Sequence, residues 1–210
     1  MLLEVHPHNP QPRVISQVIK ILNNDGVIIF STDTAYSFGC SIHSKKAIKK
    51  IQAIKNLHKN DFLTLICNDT AQFQQYTKGI STPIFRKLKS LLPGPFTLIF
   101  EASKLVPKIT LSKRSTIGIK VPDSPISIAI VTALNEPMLS TSVGILVSEN
   151  NMHEPYELYS KYAAQVDCVV DTGEIWINPS SMLDFSVSPP ELLREGAGME
   201  EINEVLQGIF

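Results

Sequence analysis

The sequence has little of several features that would assign it quickly to a class of protein. It holds three cysteines and one tryptophan in 210 residues, and no apolar run reaches 18 residues. The cysteines Cys40, Cys67 and Cys168 are odd in number and far apart, which argues against a disulfide framework or zinc knuckle and fits a reducing cytoplasm. The first 25 residues are too polar for a secretory leader, and no membrane span is expected.

The usual signatures of phosphate loops, metal sites and nucleophiles are missing too. Neither Gly-x-x-x-x-Gly-Lys-Ser/Thr nor Gly-x-Gly-x-x-Gly occurs. The five histidines lack metal-ligand spacing, so we predict no metal site. Cys40 could offer a thiol, but a buried, inert cysteine is the favoured interpretation. We therefore predict no catalytic side chain, and expect chemistry by positioning and charge stabilisation.

The charge is balanced overall but divided along the chain. There are 19 basic and 20 acidic residues, which gives a formal net charge of −1. Residues 1–148 carry a net +9 and residues 149–210 a net −10. This division can produce one positive face, or it can be a property of the chain order alone.

Short apolar segments alternate with amphipathic ones along the whole chain, which predicts a single α/β domain with layered α+β character and a covered sheet. We predict N-caps at Ser44, Asp69, Thr82 and Ser124. Helices are expected at 13–24, from 44 to about 55, after 69, from 82, from 124, near 155–164 and near 199–207. Strands are expected at 27–31, 62–67, 96–101, 116–121, 138–142, 166–171, 180–185 and 191–195.

Hydroxyl side chains gather where predicted strands begin or end. STDT (31–34) follows the first strand, STS (140–142) closes another, and PSS (179–181) precedes a third. Lys55, Lys120 and Arg194 lie at or near such positions. Each cluster alone is typical of turns and caps. Together they indicate an anion-binding cleft.

A basic helix is the other conspicuous feature. Lys45, Lys46, Lys49 and Lys50 fall in one predicted helix, and no acidic residue interrupts them. Two hypotheses stay open: a solvated helix face, or a stripe that binds the phosphates of tRNA or double-stranded RNA. The scarcity of aromatic residues between the lysines does not support base stacking there.

Seven motifs in order resemble the YrdC-like, threonylcarbamoyladenylate synthase family. STDTAYSFG (31–39) is similar to its PTDTVYGLG signature. The later blocks are IKNL (54–57), PGPFT (93–97), TIGIKVPDSP (116–125), EPMLSTS (136–142), PSSMLD (179–184) and REGAG (194–198). The match spans about residues 13–198, and the N-terminal wording resembles the YciO-type branch.

The resemblance implies a single YrdC-like domain over 1–210, with a twisted, mostly parallel mixed sheet and a positive concave surface. It implies a cytoplasmic nucleotidyltransferase that joins L-threonine, bicarbonate or CO2, and ATP into threonylcarbamoyl-AMP, for the t6A modification of tRNA. Pyrophosphate is released, and Mg2+ is expected with the ATP. Such a reaction needs no enzyme nucleophile, which agrees with the residue-level picture.

The resemblance also assigns substrate- and ATP-binding roles to nine residues of this chain. They are Thr32, Thr34, Lys55, Thr116, Lys120, Ser140, Ser142, Ser180 and Arg194. The family implies that Lys55 lies at the triphosphate and that Arg194 reaches a phosphate. It implies that the residue at position 120 holds the substrate carboxylate.

The chain departs from the family pattern at four positions. Leu57 replaces the arginine of the K-x-R motif, Lys120 replaces an arginine, and Gly144 replaces the asparagine of the Ser-x-Asn motif. Ser37 stands where the signature has glycine. Two main hypotheses remain: a synthase-like enzyme, or a non-catalytic RNA-binding module of the same fold. A third, carbamoyl-phosphate-dependent transfer, is disfavoured because the fold supports it within larger proteins. The sequence does not determine the oligomeric state.

Overall fold

A computed structural model describes residues 1–57, 63–144 and 151–208. Its helices are α1 (Pro12–Asn23), α2 (Lys45–Lys55), α3 (Thr70–Gln75), α4 (Thr82–Leu91), α5 (Pro125–Leu134), α6 (Pro155–Tyr162) and α7 (Met199–Val205), with a 3₁₀ turn at Lys108–Thr110. Its strands are β1 (Leu2–Glu4), β2 (Ile28–Ser31), β3 (Tyr36–Ser41), β4 (Thr64–Ile66), β5 (Phe96–Glu101), β6 (Thr116–Lys120), β7 (Met138–Ser142), β8 (Met152–His153), β9 (Cys168–Asp171), β10 (Ile175–Trp176), β11 (Ser181–Asp184) and β12 (Glu191–Arg194).

Three of the predicted helix caps are confirmed by hydrogen bonds. The Ser44 hydroxyl accepts from the Ala47 amide at 3.0 Å, and the Asp69 carboxylate accepts from the Gln72 amide at 2.7 Å. Ser124 caps α5 in the same way. The predicted cap at Thr82 is wrong, because Thr82 already lies inside α4 and the residue before it is the N-cap.

Ten strands form one mixed sheet in the order β1-β9-β2-β3-β7-β4-β6-β5-β11-β12, and β8 pairs with β10 in a separate ribbon. The α/β class with a large mixed sheet is confirmed. Within the described residues of the ten-stranded sheet, four pairings are parallel and five are antiparallel. The expectation of a mostly parallel sheet is therefore wrong. The difference arises because β3, β7 and β12 each run against their neighbours, and β5 runs against β6.

One face of the sheet is covered by helices along most of its width. Alternate residues such as Leu65, Leu98 and Leu139 point to this face, because side chains in a strand alternate between the two faces. They pack against buried side chains of five helices, for example Ile51 of α2 and Leu88 of α4. The five are α2, α3, α4, α6 and α7.

The opposite face is covered only in part. Helices α1 and α5 pack there against β2, β9 and the near ends of β4 and β7, with Val18 and Ile130 fully buried. Beyond these two helices the same face is lined with hydroxyl side chains instead of apolar ones. The uncovered floor is therefore a cleft on the opposite side of the sheet from α2.

Several elements differ from the sequence prediction. Strand β3 was not predicted, because its interior glycine and the preceding STDT segment look like a loop; in the structure STDT forms the turn of a β2–β3 hairpin. The first residue of predicted strand 62–67 lies outside the described residues. No helix in the described part of the chain is long and apolar enough to cross a membrane.

Candidate functional site

The floor of the cleft brings together hydroxyl side chains from four strands and two loops. It has a volume of about 170 Å³. Its lining consists of Thr32, Thr34, Ser37, Thr64, Ile66, Thr97, Lys120, Ser140, Thr141, Ser142, Ser180, Met182 and Arg194. Two of these residues are cations, and most of the others can both donate and accept hydrogen bonds. The arrangement suits an anionic ligand with several oxygen atoms.

Lys120 is the buried cation of the cleft, with 5 % of its side chain exposed. Its ammonium group donates to the Thr34 hydroxyl at 2.8 Å and forms an ion pair with Asp33. Burial lowers the pKa of Lys120, Asp33 opposes this effect, and nearby Arg194 adds to it. The carboxylate of Asp33 also accepts from the Asp123 amide at 3.1 Å. The STDT turn is thereby fastened to the end of β6.

Arg194 reaches the cleft from the edge strand β12 and is held through Ser180. Its Nε donates to the Ser180 carbonyl at 2.9 Å, and one terminal nitrogen donates to the Ser180 hydroxyl at 3.0 Å. That hydroxyl lies 2.8 Å from the hydroxyl of Thr97 on β5. A guanidinium has five N–H donors, so this anchoring uses only part of its capacity. Arg194 is thus oriented with donors left for a ligand.

Lys55 lies beside the cleft and not among the residues that line it. Its ammonium donates to the Val143 carbonyl at 2.9 Å, just beyond Ser142. A Cβ at position 144 would lie 3.1 Å from the Lys55 Nζ, and Gly144 has a φ of +93° that favours glycine. Burial lowers the pKa of Lys55, and Lys161 lowers it further. In this chain Lys55 holds the segment that follows Ser142.

His153 is a residue of this site that the sequence reasoning missed. Its Nδ1 accepts from the Tyr36 amide at 3.1 Å, and its Nε2 lies 2.7 Å from the Gly144 carbonyl. These partners require the neutral ring with the proton on Nε2, which agrees with burial lowering the pKa of His153. His153 therefore connects β3 to the loop after β7. Both partners are backbone atoms, so no side-chain spacing in the sequence could reveal them.

Two predicted site residues have other roles in the structure. Thr116 lies at the opposite end of β6 from Lys120, and its hydroxyl is 2.7 Å from that of Ser112. The structure does not bring Thr116 to the cleft, so we leave it out of the site. Thr32 does line the cleft, but its hydroxyl donates to the Ala35 carbonyl at 2.8 Å and so closes the turn.

The basic helix lies apart from the cleft. Helix α2 packs on the fully covered face of the sheet, so its exposed lysines Lys45, Lys46 and Lys49 point away from the hydroxyl-lined floor. Lys50 pairs with Asp167 at 3.2 Å. The positive charge expected on one concave surface therefore lies on two sides of the sheet. The cleft has two lining cations, one of them paired with a carboxylate, and the lysine cluster is on the other side of the sheet.

A wider groove of about 890 Å³ lies beside α5, beyond Asp123. Its lining is mostly apolar, with residues such as Leu92, Val121 and Ile128, and the two carboxylates Asp69 and Asp123 outnumber the single cation Lys89. It does not provide the converging donors that an anion needs. We therefore place the candidate site in the smaller cleft.

The described residues do not build a metal centre or a reactive thiol. Between them, residues 1–57, 63–144 and 151–208 contain no group of three His, Cys, Asp or Glu side chains that could hold a metal ion. Burial raises the pKa of Cys40 to about 12, which keeps this thiol protonated and unreactive.

Comparison with known proteins gives the family. The Sua5–YciO–YrdC family, described as "Telomere recombination", matches residues 20–196. The chain is 37 % identical over 195 residues to the "Uncharacterized protein YciO" of Escherichia coli strain K12, which covers 92 % of this chain and 94 % of that protein. A crystal structure of E. coli YciO superposes with a TM-score of 0.87 at 35 % identity, over 94 % of this chain and 96 % of that one.

More distant relatives carry an activity in their names. The chain is 25 % identical over 182 residues to a "Threonylcarbamoyl-AMP synthase" of Pyrococcus abyssi, covering 86 % of this chain and 53 % of that protein. The crystal structure of P. abyssi Sua5 complexed with L-threonine has a TM-score of 0.88 at 22 % identity, covering 99 % of this chain and 61 % of that one, and so shares the fold. The chain therefore belongs to the Sua5–YciO–YrdC family.

Proposed function

We propose that the cleft binds L-threonine and the phosphates of ATP and joins them with bicarbonate or CO2 into threonylcarbamoyl-AMP, the precursor of the t6A modification of tRNA. The observation that carries this proposal is the convergence of Lys120, Arg194 and the hydroxyls of Thr34, Ser142 and Ser180 in one cleft. A P. abyssi threonylcarbamoyl-AMP synthase among the relatives supports the choice of reaction.

The amino-acid end of the ligand belongs beside Lys120. A buried ammonium next to the hydroxyls of Thr34 and Ser180 can take a carboxylate, because hydrogen bonds to charged groups are the strong ones. A lysine offers a point charge where an arginine would offer a two-pronged contact. Lys120 therefore orients the carboxylate less strictly, and amino acids other than threonine belong in the assay.

The chemical step needs position and positive charge but no protein nucleophile. The amine of threonine adds to CO2 and loses a proton, which gives a carbamate. A carbamate oxygen then forms a bond to the α-phosphorus of ATP, and the bond from that phosphorus to the bridging oxygen breaks. Pyrophosphate leaves with the electron pair. Arg194 would stabilise the charge on the phosphate oxygens during this exchange.

The first experiment measures pyrophosphate release by the purified full chain with ATP, Mg2+, bicarbonate and each amino acid in turn. We expect release that depends on an amino acid, with threonine as the first candidate. Arg194→Ala should weaken ATP binding about tenfold or more, because it removes a charge-assisted contact. Arg86→Ala, on the exposed side of α4, is the matched control and should bind like the wild type.

If pyrophosphate release stayed at background and the chain also bound no ATP, the synthase proposal would be wrong. Unchanged ATP affinity in Arg194→Ala would remove this residue from the phosphate site, even if the wild type were active.

A second candidate function is RNA binding through α2, with tRNA or double-stranded RNA as partner. Lys45, Lys46 and Lys49 are exposed and form no ion pair within the described residues, so their charges are available to phosphates. The affinity for RNA should then fall steeply with salt. In a plot of the logarithm of RNA affinity against the logarithm of salt concentration, replacing these three lysines with glutamine should reduce the steepness of the slope by about 2 to 3. A flat salt profile in the wild type would reject this candidate.

A further inference from the structure

A two-stranded ribbon carries the only tryptophan of the chain beside the cleft. In this ribbon Ile175 pairs with His153, and Trp176 pairs with Met152. Ile175 packs against the main core and His153 is fully buried, so Trp176, the next residue along the strand, points the other way. The Trp176 side chain is 65 % exposed. A large aromatic ring is thus displayed on a short, paired strand.

Hydrogen bonds fix this ribbon to the rim of the cleft. The Asn178 amide donates to the Thr34 carbonyl at 3.0 Å, directly at the STDT turn. On the other strand, His153 bridges the Tyr36 amide and the Gly144 carbonyl. Ser180 is the fourth residue after Trp176, and four residues of chain span at most about 14 Å. The indole is therefore held within reach of a ligand whose anionic end lies in the cleft.

The exposure of the Trp176 ring has an energetic consequence. Burying a large aromatic side chain normally contributes about 1.5–3 kcal/mol to stability, and that contribution is forgone here. An aromatic ring left exposed beside a cleft can stack on a planar group of a ligand.

The size of the cleft indicates which planar group this is. About 170 Å³ is well below the roughly 300–1,000 Å³ of pockets that enclose a ligand of nucleotide size. The cleft can hold a carboxylate and phosphate oxygens, but the base of a nucleotide has to lie outside it. The ribbon provides an aromatic surface on that rim, at the side where the loop after β7 and Lys55 meet.

We propose that Trp176 stacks on the base of the nucleotide whose phosphates enter the cleft. This inference rests on the proposed function and assigns the base-binding surface of the same site. Because a stacking ring recognises any base through its π-face, Trp176 supplies affinity for a nucleoside triphosphate while discriminating weakly between bases. The ligand class is a purine or pyrimidine nucleoside triphosphate, with the purines favoured by their larger ring.

The test uses Trp176 as its own reporter, since the chain has one tryptophan. Binding of ATP to the full chain should change the tryptophan fluorescence, and inorganic tripolyphosphate should bind without that change. Trp176→Ala should weaken ATP binding, measured by calorimetry, about tenfold and leave the affinity for tripolyphosphate unchanged. Trp176→Phe should recover most of the loss. Leu105→Ala, which also removes an exposed apolar side chain, is the matched control and should behave as wild type.

Equal loss of ATP and tripolyphosphate affinity in Trp176→Ala would overturn the stacking role, because it would indicate a general structural effect. Unchanged ATP affinity in Trp176→Ala would also overturn the stacking role. In that case the proposed function would still stand, because the wild type would bind ATP. If the wild type bound no ATP at all, the proposed function and this inference would fall together.

Discussion

The buried Lys120–Asp33 pair shows how this chain keeps a charge inside a protein wall. Lys120 is 5 % exposed, and a cation at such a position is tolerated only when it is paired and hydrogen-bonded. Asp33 and the Thr34 hydroxyl supply those partners from the same turn. An incoming carboxylate can therefore share Lys120 without first dehydrating it. The pair keeps the site ready for an anion while the cleft is open.

His153 leads to a pH prediction. Burial lowers the pKa of His153 in the folded protein, while the unfolded chain has the ordinary value of about 6.5. The unfolded state then binds more protons below that pH, so stability present above about pH 6.5 is lost as the pH falls. We expect the free energy of unfolding to drop more between pH 7 and 5.5 in the wild type than in His153→Gln, by up to about 1 kcal/mol.

Urea denaturation at several pH values measures this difference. His8→Gln, which replaces an exposed histidine, is the control and should keep the wild-type dependence. Identical pH dependence in wild type and His153→Gln would show that the buried ring does not titrate with unfolding.

At the scale of single residues, the sequence indicated which side chains lie together better than it indicated their contacts. Ser180 and Arg194 were assigned to one site from motif resemblance, and the structure brings them into hydrogen-bond contact. The resemblance assigns Lys55 to the triphosphate, whereas its ammonium group donates a hydrogen bond to a backbone carbonyl in the loop after β7. That difference follows from Gly144, which has no side chain to keep Lys55 away.

The elements show where local sequence signals suffice. Helices α2, α3 and α5 begin where a hydroxyl or carboxylate cap was predicted, because a cap is a contact over three residues of chain. Strand β3 was not predicted, although it lies in the middle of the sheet. Its residues do alternate, with Tyr36, Phe38 and Cys40 in the core, but the other three of the six are serine or glycine, which are typical of a loop.

A matched pair of cap variants tests the contribution of such a local contact. Ser44→Ala removes the hydroxyl that accepts from the Ala47 amide and should destabilise the protein by about 1 kcal/mol. Ser81→Ala changes the same residue type at the N-cap of α4, where the side chain makes no capping hydrogen bond, and should be nearly neutral. Urea denaturation compares the two. Equal destabilisation would contradict the assignment of the cap energy to the hydrogen bond.

The whole molecule separates two charged surfaces by the thickness of its sheet. Helix α2 and its lysines lie on the fully covered face, and the cleft occupies the uncovered part of the other face. The sequence could not show this, because the net charge of residues 1–148 includes both surfaces. Only the alternation of strand residues, once the strands are paired, assigns each group to a side.

This separation predicts that the two surfaces act independently. Replacing Lys45, Lys46 and Lys49 with glutamine should leave ATP affinity unchanged, and Arg194→Ala should leave RNA affinity unchanged. The variant that combines all four substitutions should bind ATP like Arg194→Ala and RNA like the triple lysine variant. Each binding free energy should agree within about 0.5 kcal/mol, because the sites are far apart and share no partner. Calorimetry with ATP and a salt-controlled RNA titration measure both. A coupling well above that value would mean that one surface acts through the other.

The order of the strands also determines when during synthesis the cleft can exist. Thr34 belongs to the hairpin made first, whereas Ser180 and Arg194 reach the cleft only after β11 has paired with β5 and β12 with β11. A chain synthesised only as far as β7 can build much of the hydroxyl floor but lacks Ser180 and Arg194. A complete cleft therefore requires both β11 and β12 to be in place. A chain that lost β12 to a protease would keep the hydroxyls of β3, β5 and β7 but would lose Arg194 from the cleft.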